Sequence, residues 1–331
     1  METGEVTVGA SQPAAPSGPR AEISVVTPSR NQGRYLDETI ASVLGQEGNF
    51  ALDYLVIDGA STDRSVDVLR RYESRLRQGD WPLRCRSIRF RWLSEPDRGQ
   101  SHALAKGLHM STGDVLGWLN SDDTYQPRAL ATVCETFAHD SACAVVYGNA
   151  HYIDDSGAPL GDYPTEAFSS ERLAVVNFLA QPSTFFRRKA IEHIGGPDIG
   201  LHYVMDYDLW LRMAKSGPFR YVEAFLSNYR LHNESKTVAA QHALENAREC
   251  LHVVHKHCGW APANRVYEFC SQWVKASLPS PTLTKQPMAA MLTAPLALAK
   301  YCAMNRGVRL ADLKLLTRRN ARRLFEKQRL Y

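Results

Sequence analysis

Residues 113–125, GDVLGWLNSDDTY, constrain the fold most. They read as a buried strand, carried by Val115, Leu116, Trp118 and Leu119, that stops at two adjacent carboxylates, Asp122 and Asp123. A strand that delivers acidic groups at its C-terminal edge is where an open α/β sheet places ligand chemistry. Side by side, two carboxylates repel unless positive charge sits beside them. A hard divalent cation such as Mg²⁺ or Mn²⁺, bound by oxygen and shared with a phosphate, would supply that charge. The plain alternative is a solvated turn ahead of a helix starting at residues 126–128 (QPR). The rest of the chain weighs against the turn.

Residues 23–27 (ISVVT) and 52–57 (LDYLVI) are short, β-branched apolar runs of the kind that form buried parallel strands. Each is followed by apolar residues at helical spacing: Tyr35, Leu36, Ile40, Val43 and Leu44, then Val66, Leu69 and Tyr72. The first eighty residues therefore read βαβα, with their loops at one sheet edge. A third strand is expected at 87–93, a helix at 101–110, a helix at 128–137, and a strand at 144–147 with a hairpin-like turn at 154–157. Four consecutive strands thus end in polar or acidic loops, at 27–31, 58–63, 95–100 and 121–123. Together they describe a nucleotide-sized site. Neither GxGxxG nor GxxxxGK[ST] occurs at the first turn, which counts against a dinucleotide or Walker-type cradle.

Further along, QPSTFF (181–186) suggests a strand, 187–194 a short helix closing at Gly195, and 220–225 another strand. DYDLWLRMA (206–214) is an amphipathic helix with Leu209, Trp210 and Met213 on one stripe. Residues two apart on a helix face away from each other, so Asp206 is expected inward, with Asp208 paired to Arg212 on the outer face. A long helix is expected over 234–257.

The blocks ISVVTPSRNQGRYLDETIASVLGQ, DYLVIDGASTDRSVDVL, WLSEPDRGQSHALAKG, GDVLGWLNSDDTYQPRAL, QPSTFFRR, HYVMDYDLWLR and YRLHNESKT, spread over residues 23–237, resemble the inverting glycosyltransferases of family 2. The chain departs from that family's pattern at His102, where an acidic residue is common, and at Met205, ahead of the expected base. The resemblance implies a GT-A α/β fold, with a mostly parallel central sheet flanked by helices. It also implies a nucleotide-diphosphate sugar donor, a UDP-sugar foremost, and a glycan or lipid-linked glycan acceptor. By the same resemblance Asp123 would bind the metal, and Asp122 the ribose or the metal. Asp58 would accept hydrogen bonds from the base or ribose, with Thr27, Pro28 and Asn31 walling the base. Arg98 would face the diphosphate or the base-side edge, the alternative being a surface pair with Asp97. Asp206 would be the general base, the alternative being an N-cap of its own helix. His232 would be a third metal ligand or a diphosphate contact, the alternative being a surface histidine. A catalytically inactive nucleotide-sugar-binding or scaffold protein is the competing function.

Composition bounds the rest. A net charge of +4 over 331 residues gives no argument for nucleic acid. Seven cysteines without a CxxC pair suggest reduced thiols and a cytoplasmic location. Residues 1–20 lack an apolar run and read as a disordered leader, ahead of a catalytic domain over 21–235 and a helical extension over 236–331. The cluster His252, His255, His257 and Cys258 reads as a polar helix end closing at Gly259 rather than a metal site. From Arg306 onward nine Lys or Arg face only Asp312 and Glu326, with Leu310, Leu313, Leu316, Leu324 and Phe325 as an apolar side. That tail is expected either to pack on the protein or to lie on an anionic membrane surface, making the protein peripheral on its inner face.

Overall fold

The computed structural model describes residues 1–9, 22–233, 235–236, 240–278, 286–309 and 312. Two compact units form. The first comprises Met1–Phe168, Phe178–His202 and Met213–Arg230. Ser169–Asn177, Tyr203–Arg212 and the described residues from 231 onward make the second.

The first unit is organised on one ten-stranded sheet. Its strands are β1 (Glu2–Gly9), β2 (Glu22–Ser29), β3 (Ala51–Asp58), β4 (Ser87–Ser94), β5 (Val115–Trp118), β6 (Thr124–Tyr125), β7 (Val145–Ile153), β8 (Pro159–Asp162), β9 (Thr184–Arg187) and β10 (Phe219–Arg230). They lie in the order β1-β4-β3-β2-β5-β9-β7-β10-β6, with β8 hairpinned onto β7. Strands β4, β3, β2 and β5 are parallel neighbours. Ile23, Val25 and Val26 of β2 and Tyr54, Leu55 and Val56 of β3 are buried, as strands covered on both faces require. Helices α1 (Leu36–Leu44), α2 (Ser65–Gln78), α3 (Gln100–Met110), α4 (Ala129–His139) and, beyond the second unit's α5 (Ser170–Val175), α6 (Arg188–Ile194) complete the first unit. Within QPSTFF the chain makes a 3₁₀ turn at Gln181–Ser183 before β9 begins.

Residues 2–9 overturn the expected leader. They form β1, antiparallel to β4 from Glu2↔Ser94 to Gly9↔Ser87. An unpaired β4 would be a sheet edge with a row of open backbone groups, and β1 closes it. Val6 is buried there, Glu5 pairs with Arg89 at 2.7 Å, and Glu2 pairs with Arg70 at 2.5 Å. Residues 10–20 of the expected leader lie outside the described residues. Val6→Asp places a charge on the buried side of β1 and is expected to lower the melting temperature by roughly 5 °C. A calorimetric scan identical to wild type would mean that β1 adds nothing to stability.

The second unit contains α5, α7 (Met205–Met213, whose last residue belongs to the first unit), α8 (Ala243–Cys258), α9 (Ala263–Ser277) and α10 (Gln286–Asn305). The expected boundary near 235 is therefore incomplete, because α5 and most of α7 join the later helices. The Tyr207 hydroxyl donates to the carbonyls of Leu173 at 2.6 Å and Ala174 at 3.1 Å. Asn264 Nδ2 donates to the Val175 carbonyl at 2.9 Å, and the Glu249 carboxylate accepts from the N–H groups of Tyr203 and Val204. The helix expected over 234–257 is α8, closed by Gly259 at φ 71°. None of the seven cysteines forms a disulfide. Beyond Asp312 the basic tail lies outside the described residues.

Candidate active site

The parallel strands β2, β3, β4 and β5 all release their loops at one edge, and side chains stitch those loops together. Asn31 takes a left-handed turn at φ 53°. Its N–H donates to Ser61 Oγ at 2.7 Å, and its Oδ1 accepts from the Thr62 N–H at 2.8 Å. The Asn31 side chain thus joins the first loop to the second. Asp58 is fully buried at the end of β3. Its carboxylate accepts from the Ser61 N–H at 2.9 Å, Ser61 Oγ at 2.5 Å and Ser94 Oγ at 2.6 Å. Both side chains thus brace the loops on which they were expected to meet a nucleotide. Thr27 and Pro28 are buried below it, with Thr27 Oγ1 3.2 Å from the Tyr54 hydroxyl. The buried Ser29 hydroxyl has no hydrogen-bond partner among the described residues and is a polar group that the sequence reading missed.

The third loop carries Arg98 on its surface. Asp97 does not pair with it through the contact expected, but accepts from the Gly99 N–H at 2.8 Å. Gly99 sits at φ 109°, a conformation that favours glycine, and α3 starts directly after it. The Arg98 N–H lies 3.5 Å from His102 Nδ1.

In the fourth loop the two carboxylates have different surroundings. Asp123 is 1% exposed, and its Oδ1 accepts from the Arg230 N–H at 2.9 Å. Asn120 Nδ2 lies 3.4 Å from its Oδ2. Burial, and then the neighbouring Asp122, push the Asp123 carboxyl well above the usual carboxylate range. Asp122 is only half-buried. Of the two, Asp122 is the more exposed carboxylate, while Asp123 is held by the Arg230 N–H. Among the described residues no group of three or more His, Cys, Asp or Glu is close enough to hold a metal. The two residues nevertheless fit a divalent cation as an oxygen half-site, since a cation would relieve the repulsion between adjacent carboxylates. The remaining ligands would have to come from a diphosphate.

Arg230, at the end of β10, is the second residue missed, although it stands inside the block YRLHNESKT. Its side chain is 1% exposed. Nε donates to the Asp122 carbonyl at 2.9 Å, and Nη1 to the carbonyls of Asp154 at 3.1 Å and Asp155 at 3.2 Å. Nη2 meets Glu38 Oε2 at 2.6 Å, and the guanidinium lies 5.0 Å above the Tyr35 ring. One side chain therefore ties the Asp122–Asp123 loop to the β7–β8 turn and to α1. Arg230→Met would strand three carbonyls and is expected to cost roughly 3–5 kcal/mol in urea unfolding. Arg230→Lys should retain part of that, since an ammonium cannot fork to all the partners.

The second unit holds Asp206 and His232. Asp206, in the first turn of α7, is half-buried, with Asn177 Nδ2 3.4 Å from its Oδ2. Asp208 corrects the helical-face argument. It does pair with Arg212, Nε to Oδ2 at 2.8 Å, but it is buried rather than outward. Met205, Tyr207, Leu209, Trp210, Leu211 and Met213 are buried as well, so α7 has hardly any outer face. His257 Nε2 lies 2.7 Å from Asp208 Oδ1, which gives one member of the histidine cluster a structural partner. His232 is buried.

Comparison with known proteins agrees with this architecture. A sequence model of the family described as Glycosyl transferase family 2 matches residues 24–195, more than half of the chain. The chain is 24% identical to the chondroitin synthase of Escherichia coli over 65% of its own length but only 30% of that protein. It is 26% identical to the putative teichuronic acid biosynthesis glycosyltransferase TuaG of Bacillus subtilis, covering 64% of this chain and 80% of TuaG. Among solved structures, S. aureus TarS 1–349 in complex with UDP-GlcNAc superposes with a TM-score of 0.59 at 13% identity, over 86% of this chain and 81% of TarS 1–349. The mannosyltransferase PcManGT of Pyrobaculum calidifontis, in complex with GDP-Man and Mn²⁺, gives 0.53 at 16% identity, over 94% and 85%. At such identities the two structures speak for the fold.

Proposed function

The chain belongs to glycosyl transferase family 2, and from that premise we propose that it moves a sugar from a nucleotide-diphosphate donor to a hydroxyl of a glycan or lipid-linked glycan, with inversion. The observation that best supports this reading is the Asp122–Asp123 pair at the end of β5, braced by Arg230 where four strand ends converge. The nucleotide sugars and the Mn²⁺ bound by solved proteins of the same fold point the same way.

In this proposal Asp122, backed by Asp123, would hold a divalent cation, Mg²⁺ or Mn²⁺, which when bound offsets charge on the departing diphosphate. Thr27 and Pro28 form the floor under the base, while Asn31 and Asp58 keep its rim in place. The exposed Arg98 turns its guanidinium to the diphosphate oxygens. His232 donates an imidazole N–H to the diphosphate. Asp206 takes the proton of the acceptor hydroxyl as that oxygen bonds to the anomeric carbon. The bond from that carbon to the diphosphate oxygen breaks on the opposite face, the diphosphate keeps the electron pair, and configuration inverts. An ordinary, ionised carboxylate suffices for this work, so position matters more than a raised pKa.

A panel of UDP-, GDP- and dTDP-sugars tests the reading. Slow release of one nucleotide is expected, abolished by EDTA and restored by Mn²⁺ or Mg²⁺. Tight donor binding without turnover, even with a broad mixture of acceptors, would favour the non-catalytic binding protein instead.

A further inference from the structure

Helix α10 departs from the usual pattern of a surface helix. Its buried residues are Ala289, Thr293, Ala297 and Tyr301, one every four positions, so they form a single stripe. Ala297 and Tyr301 pack in a small core with Leu251, Ala261, Val266 and Cys270. The side facing away from such a stripe normally carries charge. Here it carries Met291, Pro295 and Leu298, flanked by Leu292 and Ala299, all exposed. Met291 is 75% and Leu298 60% exposed, and no charged residue occurs between Lys285 and Lys300.

The charges that adjoin that face in sequence are mostly basic, with Asp312 and Glu326 the acids beyond it. From Phe269 to Ala311 the sequence contains Lys275, Lys285, Lys300, Arg306 and Arg309 and no Asp or Glu. Lys314, Arg318, Arg319, Arg322, Arg323, Lys327 and Arg329 follow. A second copy of the chain laid on this face would bring two basic rims together, which costs free energy. An anionic lipid surface attracts the same rim and accepts the alkyl side chains. Among the described residues no helix is long and apolar enough to cross a membrane, so such a helix would lie in the interfacial plane.

We propose that the Met291, Pro295 and Leu298 face of α10 docks into the interfacial layer of an anionic phospholipid bilayer, and that Lys300, Arg306 and Arg309 hold the headgroups. This goes beyond the transfer reaction: it supplies a physical means of bringing the chain to a lipid-borne acceptor.

Vesicle co-sedimentation of the full chain tests the proposal without using catalysis, so it stands or falls separately from the transferase reading. Phosphatidylcholine vesicles with phosphatidylglycerol should sediment the wild type far better than phosphatidylcholine alone, with the difference falling as salt rises. Met291→Glu with Leu298→Glu should weaken binding at least about tenfold at an unchanged melting temperature. Arg306→Gln with Arg309→Gln should weaken it about tenfold on anionic vesicles only. Failure of the wild type to sediment, or equal binding by the Met291/Leu298 variant, would overturn the proposal. So would light scattering that shows a wild-type dimer made monomeric by that variant.

Discussion

Asp206→Asn is expected to slow sugar transfer by roughly 10²–10⁴-fold, the usual contribution of a positioned general base, while donor binding stays unchanged. The amide keeps the size of the carboxylate and can still accept from Asn177 Nδ2, so the fold should persist. Asp208→Asn makes a sharp control two residues away. Asp208 is buried between Arg212 and His257, and neutralising it leaves a guanidinium without its counter-charge. That variant should lose roughly 3–5 kcal/mol in urea unfolding. Equal loss of turnover in both variants, at equal stability, would remove the distinction and with it the base assignment.

Asp122→Ala should lower metal-dependent donor turnover by roughly 10²–10³-fold, the scale on which one preorganised electrostatic contact acts. The change removes a half-buried carboxylate, while the Asp122 carbonyl that Arg230 Nε holds remains. Little stability should therefore be lost, and a titration with Mn²⁺ should show a weaker apparent affinity. Asp123→Ala differs, because it strips the Arg230 N–H of its buried acceptor and should destabilise the loop by roughly 1–3 kcal/mol. If Asp123→Ala, but not Asp122→Ala, abolished the metal dependence, the order of the two carboxylates would be the reverse of the one read from their burial.

The parallel core of the fold was legible in the sequence because β2, β3 and β5 are continuous apolar runs punctuated by polar loops. β1 was not legible. Eight residues with mostly outward side chains carry little signal of their own, and they become a strand only because β4 offers an open edge. The helical wheel failed at Asp208 because it presumes one wet face, and the burial of nearly all of α7 is a tertiary fact. Arg230 was hidden for a related reason. An arginine at a strand end reads as surface charge until its three carbonyl partners, contributed by 122, 154 and 155, are brought around it. At the rim, the residue types at Asn31 and Asp58 signalled polar loops at the strand ends, and the structure adds that these side chains brace those loops.

The central claim is that the Asp122 edge of the sheet binds a nucleotide diphosphate together with a divalent cation. Anomalous diffraction from crystals grown with Mn²⁺ and UDP addresses it most directly. The account predicts one strong Mn²⁺ peak within coordination distance of the Asp122 carboxylate, with diphosphate oxygens completing its shell and the uracil over Thr27 and Pro28. A nucleotide bound at another edge of the sheet, or a bound nucleotide with Mn²⁺ remote from Asp122, would contradict it.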